Sequence, residues 1–224
     1  LDYYPLEGWF VDQHTLQVGE ERICGDKIFV AGGARPLVLP IEGLDQIPSL
    51  DNESALQLVE RPESMVFVGG GCVACEFAHF FAAMGTEVTV LQRNRYLVPD
   101  EEPEISDILF EAMSRRMAVH TRMEVMHIQR DGDPSGRSDG YRVTARDTPS
   151  GEERHFAAQY VMLAAGRRSN ADLLKVENAG LETDDRGYIQ VNEHLETNIP
   201  HIWALGDIIG KQMFKHVANR EALF

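Results

Sequence analysis

The sequence predicts an α/β protein, and three observations carry that prediction. A short apolar run, Met65-Val66-Phe67-Val68, ends in Gly69-Gly70-Gly71. Apolar residues then recur at helical spacing, Val73, Phe77, Phe80 and Met84, and Gly85 follows. A second apolar run, Val88–Leu91, completes a β-turn-α-turn-β unit of the length expected for right-handed parallel pairing. The apolar runs read as parallel strands buried on both faces. The periodic series reads as a one-sided helix, closed by Gly85 as a C′ glycine.

The other elements follow in chain order. Trp9–Val18 and Arg22–Val30 read as strands around the turn Gly19-Glu20-Glu21. Ala31-Gly32-Gly33-Ala34-Arg35-Pro36 is a glycine turn, and Leu37–Leu50, with Pro40 and Pro48, is an irregular crossover. Ser54–Glu60 is expected as a short helix capped by Asn52 or Ser54. Asp100–His120 fits an amphipathic helix with Pro103 in its first turn. Glu124–Gln129, Tyr141–Arg146 and Arg154–Phe156 form a β-meander, joined by the turns Asp131–Gly136 and Pro149–Gly151. Gln159–Ala164 is a further buried strand, Gly187–Asn192 and Ile202–Leu205 are strand-like, and Lys215–Phe224 begins a helix.

Composition narrows the partners. The 224 residues carry a net charge of −15 and are 43% hydrophobic, enough for a sizeable core. So acidic a surface repels nucleic-acid backbones and anionic lipids, so neither is an expected partner. Apolar runs such as Val161–Gly166 are too short to span a bilayer. The first residues, Leu1-Asp2-Tyr3-Tyr4-Pro5, lack a signal-peptide pattern and an initiator Met, and the expectation is a piece of a longer protein. Three cysteines argue against a disulfide framework and for a reducing, cytoplasmic setting. Cys72-Val73-Ala74-Cys75 spells C-x-x-C, which invites a redox or zinc reading, but no second such pair or nearby histidine pair completes a metal site, and both cysteines lie inside the glycine motif taken up next.

Gly69-x-Gly71-x-x-Ala74 has the spacing of a dinucleotide-binding turn. The first glycine allows the tight turn, the second lets backbone amides approach a pyrophosphate, and the small Ala74 lets helix and strand pack closely. The helix N-terminus, with Cys72 and Val73 in its first turn, adds partial positive charge. At the end of the second strand an NAD site usually places a carboxylate. Here Gln92 is followed by Arg93-Asn94-Arg95, a pattern that favours the 2′-phosphate of NADP(H) over NAD, unless these arginines are simply solvated. Glu76 serves either as dipole compensation or as a nicotinamide-side carboxylate.

Val68-Gly69-Gly70-Gly71-Cys72-Val73-Ala74-Cys75-Glu76-Phe77-Ala78 resembles the NAD(P) fingerprint of the class I pyridine nucleotide-disulfide oxidoreductases, the flavoenzymes that include dihydrolipoamide dehydrogenase, mercuric reductase and mycothione reductase. Val30–Pro36 is similar to the family's A-T-G-x-x-P turn, with Gly32 in place of Thr. Ala164–Asn170 is similar to its A-x-G-R-x-P-N segment, with Ser169 in place of Pro. Ile202–Asp207 is similar to its second FAD motif. Four motifs in the family's order make chance agreement untenable.

The resemblance implies a Rossmann-like NAD(P)-binding domain with a β-meander, residues 37–168, inserted in an incomplete FAD-binding domain, residues 1–36 and 169–224. It implies that Gly69, Gly71, Cys72, Val73, Ala74, Glu76, Gln92, Arg93, Gly166 and Arg167 attend the pyridine nucleotide, and that Gly206, Asp207, Val217 and Ala218 attend FAD. It further implies hydride passage between nicotinamide and FAD and on to a redox disulfide, a small-molecule or protein disulfide or dithiol as substrate, and a homodimeric parent. The sequence has no C-x-x-x-x-C and no histidine before a proline, so no catalytic residue is expected in this chain, which by itself binds nucleotide weakly and does not turn over. A flavoprotein oxidase or ferredoxin reductase without a redox disulfide, or a non-catalytic nucleotide-binding module, is the alternative.

Overall fold

The computed structural model describes residues 1–132 and 139–223. Its strands, in order, are β1 (Gly8–Phe10), β2 (Thr15–Val18), β3 (Glu21–Cys24), β4 (Ile28–Val30), β5 (Ala34–Pro36), β6 (Ser64–Val68), β7 (Glu87–Gln92), β8 (Ala118–Thr121), β9 (Met123–Gly132), β10 (Asp139–Asp147), β11 (Glu153–Ala158), β12 (Tyr160–Leu163), β13 (Arg167–Ser169) and β14 (Ile202–Ala204). The α-helices are α1 (Cys72–Ala83), α2 (Pro103–Ser114) and α3 (Lys215–Glu221). The chain divides into two units, one built from Leu1–Arg35 with Arg167–Phe224, the other from Pro36–Gly166.

The Pro36–Gly166 unit is organised by a four-stranded parallel sheet of order β12-β6-β7-β8. Strand residues alternate faces, and the alternation along β6 sorts them into two cores. Val66 and Val68 join Leu91, Val161 and Leu163 against Ile128, Val143 and Ala145 of the antiparallel meander β11-β10-β9. Met65 and Phe67 join Val88, Val90 and Met162 against Cys75, Ala78 and Phe81 of α1 and Met113 of α2. Both faces of the sheet are covered, which is why its strands read as unbroken apolar runs.

The other unit packs Phe10, Ile28, Val30, Ile189, Ile202, Ala204 and Ile208 into one core. Strands β1-β2-β3 are antiparallel, β4 pairs in parallel with β14, and β5 lies beside β13. Arg35 ties β5 to the segment after β13: it forms two hydrogen bonds with the Asp172 carboxylate, at 2.7 and 2.8 Å, and donates to Ser169 O and Asn170 Oδ1. That arrangement holds the Asp172 carboxyl down to about 2.

Several expectations are corrected. The two long N-terminal strands are four short ones, because tight turns fold Trp9–Cys24 into a three-stranded sheet. The helix expected over Ser54–Glu60 is one turn of 3-10 helix, Ala55–Gln57, and it is Asp51 whose carboxylate accepts the Glu53 and Ser54 amides. The second helix stops at Ser114, and Ala118–Thr121 is the edge strand β8. Gly187–Asn192 makes a single bridge, Thr183 to Ile189, rather than a strand. On α1 the buried residues are Ala74, Cys75, Ala78 and Phe81, whereas Phe80 and Met84 are exposed. Positions 133–136 of the expected meander turn, and Phe224 of the last helix, lie outside the described residues.

Candidate functional site

The parallel strands β6, β7 and β12 end together, with Val68 beside Leu91 and Leu163. The crevice beyond the carboxyl ends of such strands is where α/β sheets place ligands. From β6 the chain turns through Gly69-Gly70-Gly71 directly into α1, whose first residue is Cys72.

Each glycine of this turn has a separate reason. Gly69 adopts φ +119°, and a Cβ there would collide with Ala164 O and fall 2.7 Å from the Ala164 carbonyl carbon and 2.9 Å from Ala165 N. Gly70 is packed from the other side, where a Cβ would meet Leu97 Cδ2 at 2.7 Å and Gln92 Cβ at 2.9 Å. Gly70 O accepts the Val98 amide at 2.7 Å. At Gly71 a Cβ would meet nothing within 4 Å, so the front of the helix mouth is open. Gly71, the N-cap, makes no side-chain cap hydrogen bond, and the Cys75 amide already donates to Gly71 O at 3.0 Å. The amides of Cys72, Val73 and Ala74 therefore precede the helical ladder and need an acceptor from outside it. Ala74 is fully buried beneath the turn. A diphosphate fits this mouth: open space, free donors and the positive end of a helix dipole coincide.

The remaining predicted residues are placed as follows. Val73 is half-buried, and Cys72 and Glu76 are exposed on α1. Gln92, the last residue of β7, turns inward: its side chain is buried and donates to Tyr96 O at 2.9 Å, pinning the loop that carries the arginines. Arg93 is exposed on that loop. Arg95 lies over the Tyr96 ring at 4.9 Å and, with Ser106, Asp107, Thr121 and Arg122, lines a hollow of about 210 Å³ at the same end of the sheet. Gly166, at φ +127°, accepts the Leu37 amide at 2.9 Å.

In the other unit, Arg167 Nη2 donates to Ala34 O, and its Nε lies 3.5 Å from Asp207 Oδ2. That Nε is buried and makes no hydrogen bond, so its contact with Asp207 is an ion pair lacking hydrogen-bond geometry. Gly206, at φ +74°, donates its amide to Glu221 Oε2 at 2.7 Å, a contact that sequence motifs alone do not reveal. A Cβ on Gly206 would touch Ala218 Cβ at 3.4 Å, so this turn packs on α3, where Val217 and Ala218 are half-buried. Asp207 beside this turn, with Arg167 as its charged partner, is a positioned hydrogen-bond acceptor.

The two cysteines of the C-x-x-C differ. Cys72 is exposed, whereas Cys75 is buried, donates its thiol to Gly70 O at 3.7 Å and is pushed up to about 11 by burial. Among the described residues no cluster of three or more His, Cys, Asp or Glu is placed to hold a metal ion, and no helix is long and apolar enough to cross a membrane.

The sequence profile of the pyridine nucleotide-disulphide oxidoreductases matches residues 3–222. The chain belongs to this family. It is 35% identical over 206 residues to dihydrolipoyl dehydrogenase of Bacillus subtilis (strain 168), covering 92% of this chain and 43% of that protein. It is 32% identical to mercuric reductase of Staphylococcus aureus, covering 99% of this chain and 39% of that one. Among solved structures, the HOCl-induced flavoprotein disulfide reductase RclA from Escherichia coli superposes with a TM-score of 0.83 at 28% identity, over 96% of this chain and 48% of that one. The chain thus spans less than half the length of each of these relatives. A pyridine nucleotide and FAD are the cofactors of this oxidoreductase family.

Proposed function

We propose that the chain is the central portion of an FAD-dependent NAD(P)H:disulfide oxidoreductase of the dihydrolipoamide dehydrogenase kind, and that Gly69–Ala74 binds the diphosphate of NADP(H). The observation that carries this reading is the open helix mouth at Gly71 behind a turn whose other two glycines are wedged. When bound, nicotinamide and flavin supply the hydride chemistry. The chain's own residues do the positioning.

The amides of Cys72, Val73 and Ala74 hold the diphosphate, and Ala74 keeps α1 close to β6. Gln92 fixes the loop after β7, and Arg93 faces solvent where no carboxylate opposes a 2′-phosphate, which favours NADP(H) with NAD as the weaker ligand. Glu76, two residues beyond Ala74 on α1, lies toward the nicotinamide side, and Gly166 borders the nucleotide. Asp207, held by Arg167 and by the Gly206–Glu221 bond, accepts from the flavin's ribityl chain, with Val217 and Ala218 beside it. The nucleotide domain, read from the sequence as residues 37–168, corresponds to the Pro36–Gly166 unit, and the flavin domain, read as 1–36 with 169–224, to the unit of Leu1–Arg35 with Arg167–Phe224. The parent is a cytoplasmic homodimer acting on a small-molecule or protein disulfide or dithiol, with neither nucleic acid nor membrane as partner.

Calorimetric titration of the protein with NADPH and NADH tests the core of this reading. Saturable binding with NADPH the tighter ligand is expected. An absence of binding, or a co-crystal with nucleotide away from Gly69–Ala74, refutes it.

A further inference from the structure

Cys72 and Cys75 are the first and fourth residues of α1, and both thiols are free. Residues three apart on an ideal helix have Cα atoms about 5 Å apart, inside the span of roughly 4.4–6.8 Å that a disulfide bridges. Their Cβ atoms, at about 5–6 Å, must close to about 4 Å, so forming the bond draws the first turn of α1 inward. The division of labour is set by burial. Cys72 is exposed and meets oxidant first, while Cys75 is buried beneath it and stays protonated, pushed up to about 11 by desolvation.

The turn next to this pair has no slack. Cys75 Sγ donates to Gly70 O, Gly70 is packed against Leu97 and Gln92, and Gly69 rests on Ala164. A bond between the two sulfurs removes the Cys75 proton from Gly70 O and displaces Cys72, whose amide is the first donor at the helix mouth. We propose that Cys72 and Cys75 form a reversible, hydroperoxide-sensitive disulfide that closes the nucleotide mouth. The gating half of this inference rests on the nucleotide reading above.

The chemistry balances with a hydroperoxide as the oxidant. Cys72 thiolate attacks the terminal peroxide oxygen, the O–O bond breaks, and the departing oxyanion takes up a proton, leaving Cys72 as a sulfenic acid. Cys75 then gives up its proton and its sulfur displaces hydroxide from the Cys72 sulfur, so that water leaves as the S–S bond forms. Two thiols are oxidised and the peroxide is reduced to water and the corresponding alcohol, or to water alone for hydrogen peroxide. A dithiol reductant reverses the change.

The test treats the protein with hydrogen peroxide, maps tryptic peptides, and titrates NADPH before oxidation, after it, and after dithiothreitol. The peptide following Lys27 carries Cys72 and Cys75 without Cys24, so its mass assigns the bond. Expected are the loss of two hydrogens from that peptide, NADPH affinity weakened roughly tenfold to a hundredfold as one or two charge-assisted amide bonds are lost, and recovery of both on reduction. In Cys75→Ala the two-hydrogen loss disappears. A peptide that never loses two hydrogens overturns the proposal. Disulfide formation with unchanged NADPH affinity overturns the gate alone, whereas disulfide formation in a protein whose reduced form does not bind NADPH overturns the nucleotide reading and the gate with it.

Discussion

Gly69→Ala and Gly71→Ala are the same chemical change two residues apart, yet the structure separates their effects completely. At Gly69 the new methyl enters a left-handed backbone, φ +119°, and strikes the Ala164 carbonyl at the end of β12. Backbone strain of about 1–3 kcal/mol adds to about 1–3 kcal/mol of overpacking. Against a whole-domain stability of about 5–15 kcal/mol, that total of about 2–6 kcal/mol lowers the melting temperature by roughly 4–24 °C, taking about 2–4 °C per kcal/mol. At Gly71, with φ −80° and ψ −174°, alanine is sterically allowed and its methyl meets nothing within 4 Å. Losing a little N-cap preference there is offset by the lower entropy of the unfolded chain, so stability stays within about 1 kcal/mol of the parent. The methyl nevertheless occupies the helix mouth, and NADPH affinity falls roughly a hundredfold as amide–phosphate approach is blocked. Thermal unfolding by circular dichroism and calorimetric titration are run side by side on both variants. If Gly71→Ala melts as early as Gly69→Ala, or binds NADPH like the parent, the separation of structural from binding glycines is wrong.

Other predictions reach further residues. Arg93→Glu should erase or invert the NADPH preference, a change of about tenfold or more in the ratio of the two dissociation constants, and an unaltered ratio would refute a phosphate role. Ser106→Ala removes a buried hydroxyl that donates to Leu97 O at 2.6 Å, so denaturant unfolding should show a loss of about 1–3 kcal/mol. Asp172 is depressed to about 2 by Arg35 and Arg168. The stability it adds is therefore complete above its ordinary value of 3.8 and is lost as pH falls toward 2. Because its side chain is 40% exposed, the contribution is about 0.2–1 kcal/mol, and the stabilities of the parent and Asp172→Asn should converge across that interval.

The β6–α1–β7 unit is legible in the sequence because each of its signals is local: apolar runs buried on both faces, a glycine turn, and Gly85 at φ +90° ending the helix. The buried face of α1 is less legible. Periodicity ranks Phe80 and Met84 as core by size, but close packing under a glycine turn selects the small Ala74 and Ala78 instead. The edge strand β8 is hidden because Met113 and Met117 continue a helical spacing through Arg115-Arg116, where no glycine or proline marks the stop. At the site, the spacing finds Gly69, Gly71 and Ala74 but cannot find Gly70's wedge against Leu97 and Gln92, nor the Glu221 carboxylate under the Gly206 amide. Those depend on contacts between residues distant along the chain.

The Leu37–Gly166 hydrogen bond has a consequence for how such a protein is assembled and engineered. It joins the first and last few residues of the Pro36–Gly166 unit, so that whole segment leaves and re-enters at nearly one point. A segment whose ends lie this close can be exchanged at two neighbouring points of the chain. On the proposed nucleotide reading, cofactor preference would travel with that segment and could be exchanged at two splice points rather than by editing single side chains.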